Sequence, residues 1–330
     1  AGGLTESVAA MMTGNDLKKI YRLPDTNKMK NEVLIQRGHL TNYGAEVGQG
    51  ILLSGAKILS CGLKKSCSIT DLEKAIRKKR KNIACAMYVV SHHCSDYNSV
   101  DLKKFLSICK KHRIATIVDA ASEEYMEDFF KLGADVAIFS AHKFMGSLTA
   151  GIIAGRKKLI KNVYLQNLGI GRGMKVGKES IYAAIIGVEF WYKRDLRREL
   201  NKQNKVIDYW IKYLNKKNYK GVSYEIVPDP TGNKINRLRI YINYKYSKFT
   251  AQSLAYFLEK NNPSIFVRDD LIHDSHFELD TCNLKNNQEK IVMKEMDKII
   301  KKLLSKKIKN NIAQKEYSDF SKNNWLSWLG

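Results

Sequence analysis

A chain of 330 residues with 44% hydrophobic residues and a mean hydropathy of −0.36 can bury one large or two medium cores. No apolar run reaches the ~18 residues of a membrane span, and no secretory leader is visible, so a soluble, cytoplasmic protein without membrane partners is expected. The net charge of +24 raises nucleic acid as a partner, but only 13 of the 57 basic residues are arginine and the lysines run along the whole chain. That pattern reads as a solvated basic surface, so nucleic acid is not expected, whereas a small anionic substrate would be drawn by such a field.

In chain order, Gly2-Gly3-Leu4-Thr5-Glu6-Ser7 leads into a small-residue helix over 8–12, ended by Thr13-Gly14. A glycine loop feeding a helix N-terminus presents free N–H groups and the positive dipole end, which suits an anion. A strand over 32–36 ends at Arg37-Gly38-His39, a helix is expected around 43–54, and a strand follows over 57–60. The next elements are a helix over 69–79 capped by Thr70 or Asp71, and a buried strand over 83–90 ending at Ser91-His92-His93. A helix over 100–112 then precedes the strand 114–119, which closes on Asp119. A helix over 123–131 leads to a second buried strand, 134–139, which ends beside Lys143, and a third strand starts at Ile152. This alternation predicts an α/β fold with a mostly parallel, doubly wound sheet.

Asp119 and Lys143 are 143 − 119 = 24 positions apart, the length of one strand–helix–strand unit. Parallel strands joined that way place both residues at the carboxyl edge of one sheet, where open α/β sheets bind ligands. Taken singly, the aspartate is an ordinary helix cap and the lysine a surface charge. As a pair they match what pyridoxal phosphate requires: an amine for its aldehyde and an acid to keep its ring nitrogen protonated. Ser140 and His142 precede the lysine, and the small residues Gly146, Thr149, Ala150 and Gly151 follow, which suits close approach of backbone to a cofactor. On this reading Gly2, Gly3 and Thr5 become the natural phosphate cradle. The six cysteines (Cys61, Cys67, Cys85, Cys94, Cys109, Cys282) show no CxxC pair, so reduced thiols and no metal site are expected. Cys94 beside His92 and His93 is the one cluster worth a metal test.

Beyond the sheet, a basic glycine loop over 169–179 runs into one long helix over 180–204, read as the bridge between domains. Strands over 223–227 and 237–244, a helix over 251–260, a strand over 264–268 and a helix over 289–302 predict a small α+β domain. The expected organisation is a large cofactor-binding domain over 1–195, a small domain over 196–305, and a charged tail over 306–330, carrying Trp325 and Trp328, that either docks on the body or stays mobile.

Several stretches carry a resemblance. They are Met12-Thr13-Gly14, Leu23-Pro24-Asp25-Thr26, Val33 to His39, Val118-Asp119-Ala120-Ala121-Ser122-Glu123 and Phe139 to Lys143. Gly171 to Glu179 (Gly-Arg-Gly-Met-Lys-Val-Gly-Lys-Glu) and Pro263 to Asp269 belong with them. Over roughly residues 1–305 the chain resembles the D-glucosaminate-6-phosphate ammonia-lyase family of selenocysteine-synthase-like, fold-type-I pyridoxal phosphate enzymes. The resemblance implies a homo-oligomeric lyase that removes ammonia from a phosphorylated 2-amino sugar acid, and a further N-terminal segment that family members carry before the point where this chain begins. Lys143 would hold the cofactor, Asp119 its ring nitrogen, and His39 (or His92) would face the ring. Arg37 and Arg268 would take the substrate carboxylate; Arg172, Lys175 and Lys178 would hold a phosphate. Around the lysine the family usually reads Gly-Gly-Lys followed by Gly-Pro. The form Ser140-Ala141-His142-Lys143-Phe144 is instead similar to cysteine desulfurases, which keeps that reaction, a selenocysteine synthase, and a non-catalytic homologue as alternatives.

Overall fold

Five hydrophobic strands with helical connections build the first half of the molecule. A computed structural model describes residues 1–95 and 97–324, the last four by their backbone alone. The chain divides into two compact units, Ala1–Arg194 and Asp195–Gly330.

In the first unit the elements run α1 (Gly2–Thr13), α2 (Leu17–Arg22), β1 (Glu32–Gln36), α3 (Val47–Leu52), β2 (Lys57–Cys61) and α4 (Ile69–Lys79). They continue with β3 (Ile83–Val89), α5 (Leu102–Lys111), β4 (Thr116–Asp119), α6 (Met126–Lys131), β5 (Val136–Ser140), β6 (Gly151–Gly155), α7 (Lys157–Leu165) and α8 (Lys178–Lys193). The sheet order is β2-β1-β3-β4-β5-β6, parallel except for β6. The central strands are buried on both faces, which explains their unbroken apolar runs. One face packs Val33, Ile35, Met87, Ile117 and Ile138 against Leu4, Val8 and Met12 of α1 and Ile51 of α3. The other face packs Leu34 and Ala86 against Leu72 and Ile76 of α4 and Phe105 of α5.

Two local expectations change, and the direction of the third strand is fixed. The helix expected from residue 8 begins at Gly2, because Leu4 and Thr5 are already buried and Gly3 lies on the sheet, where a Cβ would stand 3.1 Å from Ile153. The cap of α4 is Ser68 rather than Thr70 or Asp71. Ser68 Oγ accepts from the Asp71 N–H at 3.1 Å while the Asp71 carboxylate accepts from the Ser68 N–H at 3.0 Å, a capping box. The third strand, β6, runs antiparallel to β5, pairing Ser140 with Gly151 and Val136 with Gly155. The connection between them is too short for a parallel crossover, which takes about a dozen residues or more.

The second unit contains α9 (Leu196–Lys217), β7 (Val222–Pro228), β8 (Asn236–Ile242), α10 (Tyr244–Ser247), α11 (Ala251–Glu259), β9 (His276–Leu279), α12 (Gln288–Leu304) and α13 (Gln314–Asn324). Its antiparallel sheet, β7-β8-β9, buries Leu238, Ile240 and Phe277 against Trp210 of α9, Leu254 of α11 and Met296 of α12. The single long helix expected over 180–204 is two helices. Arg194 takes extended backbone (ψ 146) with its guanidinium 3.2 Å above the Trp191 ring and 3.5 Å from Glu124, and Asp195 caps α9 through the Arg198 N–H. The segment 264–268 forms no named strand; Arg268 makes an isolated bridge to Glu278 of β9, a short strand with no advance signal. Residues 306–324 pack on this unit. Ile312 and Tyr317 are buried in the core of this unit, the Ile312 N–H donates to Ser253 Oγ, and Tyr317 OH donates to Asp269. Trp325 and Trp328 lie outside the described residues.

Candidate active site

The sheet order reverses direction between β1 and β3, and the crevice for a ligand lies outside the carboxyl ends of the strands at that point. Four strand exits converge on this edge. Arg37–His39 follows β1, His92–Cys94 follows β3, Asp119 ends β4, and Ser140 to Lys143 leaves β5. β4 lies between β3 and β5, with Asp119 paired to Val89 and to Ile138.

Asp119 is 8% exposed and its Oδ1 accepts from the Ala121 N–H at 3.2 Å. Burial raises its pKa above the usual carboxylate value; the Ala121 bond and Lys143 oppose the shift. Lys143 reaches solvent, yet partial desolvation of its ammonium lowers its pKa, against the attraction of Asp119 and Glu123. Its Nζ donates to Ser122 Oγ. Ser140 Oγ and Nδ1 of the exposed His142 are 2.9 Å apart. A carboxylate held in the interior and an amine kept below its ordinary pKa, on neighbouring strands, fit pyridoxal phosphate. A protonated ring nitrogen would give such an acid a cationic partner.

The other expected residues divide. His39 does not face this crevice: it is 1% exposed, its Nδ1 accepts from the Val89 N–H at 3.1 Å, and its ring meets Tyr88 edge-on at 4.3 Å. Burial lowers its pKa to about 4, so it is a neutral structural histidine tying the turn after β1 to β3. Thr5 is likewise spent in the core, where its Oγ1 donates to the Gly50 carbonyl at 2.8 Å. Gly2 and Gly3 sit in the first turn of α1, not in a preceding loop. Their amides come before the first intrahelical bonds, which run from Leu4 and Thr5 to the Ala1 carbonyl. Arg37 is exposed at the exit of β1, and Arg172 and Lys175 are exposed on and after the 3-10 turn Ile170–Met174. Arg268 lies in the second unit, where Asp270 (3.4 Å), Asp280 (3.7 Å) and Glu278 (3.9 Å) surround its guanidinium.

Three residues at this edge were not singled out beforehand. Ser122 and Glu123 sit on the turn after Asp119, closed by the Glu123 N–H to the Ala120 carbonyl, and Glu123 is 8% exposed. Tyr43 lies close enough to Asp119 that the carboxylate adds to the burial that raises its pKa. Ser122 and Glu123 were inside a matching motif, which was the available signal. Tyr43 comes from the loop before α3 and had none.

Fold and site together define a fold-type-I pyridoxal phosphate-dependent enzyme, the class of its structural neighbours. A family model described as SelA, L-seryl-tRNA selenium transferase, matches residues 3–217. The chain belongs to that family. It is similar to D-glucosaminate-6-phosphate ammonia lyase of Salmonella typhimurium, 29% identical over 296 residues, covering 90% of this chain and 78% of that one. It is equally similar to 5'-C-glycyluridine monooxygenase-decarboxylase of a Streptomyces species, 29% identical over 299 residues, 90% of this chain and 74% of that one. L-seryl-tRNA(Sec) selenium transferase of Aquifex aeolicus is 24% identical over 82% of this chain and 67% of its own. Among solved structures, a D-glucosaminate-6-phosphate ammonia-lyase superposes with a TM-score of 0.76 at 29% identity, covering 91% of this chain and 79% of that one.

Proposed function

We propose that this protein is a pyridoxal phosphate-dependent ammonia-lyase that converts D-glucosaminate 6-phosphate to 2-keto-3-deoxygluconate 6-phosphate and ammonia. The observation that carries the reading is the Asp119–Lys143 pair: a buried acid and an amine of lowered pKa at the exits of neighbouring strands. Lys143 would hold pyridoxal phosphate through its aldehyde, and Asp119 would keep its ring nitrogen protonated. When bound, the cofactor supplies the electron sink for the pair left at C2. The freed Lys143 takes the C2 proton, for which a lowered pKa fits it. The C3–O bond then breaks, the Lys143 ammonium returns a proton so that the hydroxyl leaves as water, and hydrolysis of the unsaturated amine releases ammonia.

Arg37, exposed at the exit of β1, is assigned to the substrate carboxylate, which a planar guanidinium matches in bidentate fashion. Arg172 and Lys175 are assigned to the phosphate. Arg268 is the weaker carboxylate candidate, because three acidic side chains already surround it. Of the histidines, His92 at the exit of β3 replaces His39 as the one to face the ring. The working form is a homo-oligomer, supported by the exposed apolar face of α8 (Ile181, Tyr182, Ile185, Ile186, Phe190).

The test is ammonia release from D-glucosaminate 6-phosphate by protein reconstituted with pyridoxal phosphate, run beside sulfur release from L-cysteine. Ammonia without sulfur supports the proposal. Sulfur without ammonia transfers the case to the desulfurase reading that Ser140-Ala141-His142-Lys143-Phe144 suggests. A colourless protein with neither activity is a non-catalytic homologue.

A further inference from the structure

At the carboxyl end of the edge strand β2, the Cys61 and Cys67 sulfurs lie 3.7 Å apart at the foot of a surface hairpin. β2 ends in Cys61. Gly62 then takes a left-handed conformation (φ 72), the Leu63 N–H donates to the Ser66 carbonyl at 2.6 Å, and Cys67 directly precedes the cap of α4. A Cβ on Gly62 would stand 2.6 Å from the Cys67 Cβ, so only glycine lets the two ends of the hairpin meet this closely. Both thiols are buried, 5% and 4% exposed, while Leu63, Lys64 and Lys65 above them are in solvent.

We propose that Cys61 and Cys67 are an oxidative modification site, a dithiol that hydrogen peroxide converts to a reversible intramolecular disulfide. The Cys67 thiolate attacks one peroxide oxygen, the O–O bond breaks, and Cys67 becomes a sulfenic acid as hydroxide leaves. Cys61 then attacks the sulfenic sulfur, its proton goes to the departing hydroxyl, and water leaves as the S–S bond forms. Two thiols lose two electrons and one peroxide becomes two waters. The sulfurs close from 3.7 Å to the ~2.0 Å of a disulfide. Burial favours an oxidant as small as peroxide over a bulky disulfide.

The Cys61 Sγ also lies 3.6 Å from the Ile35 carbonyl; the contact between the sulfurs and then burial raise the pKa of Cys61, while that contact lowers the pKa of Cys67, which favours Cys67 as the first to attack. Cys85 and Cys109, fully buried, are pushed up to about 12 by burial and stay thiols.

The hairpin also touches the catalytic edge. A Cβ on Gly38, beside Arg37, would meet the Lys64 carbonyl at 2.5 Å, and the Asn98 N–H donates to the Lys65 carbonyl while the Cys67 N–H donates to that of Asn98. Drawing Cys67 toward the end of β2 therefore shifts a hairpin that rests on the turn presenting Arg37.

The test is a peroxide titration of the full chain, followed by alkylation and non-reducing peptide mass mapping. The expected result is a Cys61–Cys67 cross-linked peptide lighter by two hydrogens, abolished by dithiothreitol, with Cys85 and Cys109 alkylated as in untreated protein. In Cys61→Ser, dimedone should trap a sulfenic acid at Cys67. Oxidation confined to Cys282, or no cross-link at peroxide levels that leave methionine intact, overturns the proposal. The map of the unsubstituted protein decides even if the serine variant fails to fold.

Discussion

The Lys143 ammonium donates to the hydroxyl of Ser122, a residue three positions beyond Asp119, so the turn after β4 holds the lysine that leaves β5. One turn thus carries Asp119, the hydroxyl that receives the lysine, and the buried Glu123 whose charge acts on it. Both strands are pinned by the sheet, so the two turns that carry these groups leave it from fixed, neighbouring positions.

Lys143→Ala should abolish turnover and the visible absorbance of the reconstituted protein. Borohydride reduction followed by peptide mapping checks the assignment. A cofactor adduct on another lysine in the alanine variant would show that Lys143 is not the attachment point.

Asp119→Asn should retain cofactor but lose turnover by at least ~10²-fold, because an amide cannot hold the ring nitrogen protonated and the electron sink weakens. Steady-state assays at saturating cofactor separate this from weakened binding. Unchanged turnover would remove Asp119 from the mechanism.

Glu123→Gln should lower the pKa of Lys143 further, since it removes one of the two anions that oppose desolvation. Acylation of Lys143 in cofactor-free protein, followed by mass spectrometry across pH, measures this. The variant should react several-fold faster near neutral pH, and equal rates would show that Glu123 does not act on the lysine.

His39 gives a stability prediction with a definite sign. Its folded pKa of about 4 lies below the ~6.5 of the unfolded chain, so the unfolded state binds more protons between these values. The contribution of His39 is present in full above ~6.5 and is lost as pH falls toward 4, by roughly 3 kcal/mol at most. Urea unfolding at neutral and acid pH should show His39→Asn less pH-sensitive than the parent over this window. An identical pH dependence would mean that His39 does not titrate there.

Arg172→Ala and Lys175→Ala should raise KM more for D-glucosaminate 6-phosphate than for the unphosphorylated acid, because each removes a charge assigned to the phosphate. Equal effects on both substrates would place these side chains elsewhere than at the phosphate.

How much was legible in the sequence follows from which features are local. The strand of Thr116–Asp119, the strand of Val136–Ser140 and the helix between them announce themselves through apolar runs and spacing, so Asp119 and Lys143 were readable as exits of one sheet edge. The roles expected of His39 and Thr5 failed because a motif names a residue without saying which atoms its polar group will meet. His39 meets the Val89 amide 50 positions away, and Thr5 the Gly50 carbonyl 45 positions away. Such partners exist only once the layers have packed, when an unmatched buried polar group becomes costly.

The amino-acid order by itself determined the alternation of strands and helices and the residue types at each strand exit, because both depend on neighbours within a turn or a pleat. Tertiary structure alone decided the antiparallel course of β6, the break at Arg194, the surrounding of Arg268 by three carboxylates and the burial of Tyr317 in the second core. Each of these depends on an atom distant in sequence, whose position the whole fold must supply.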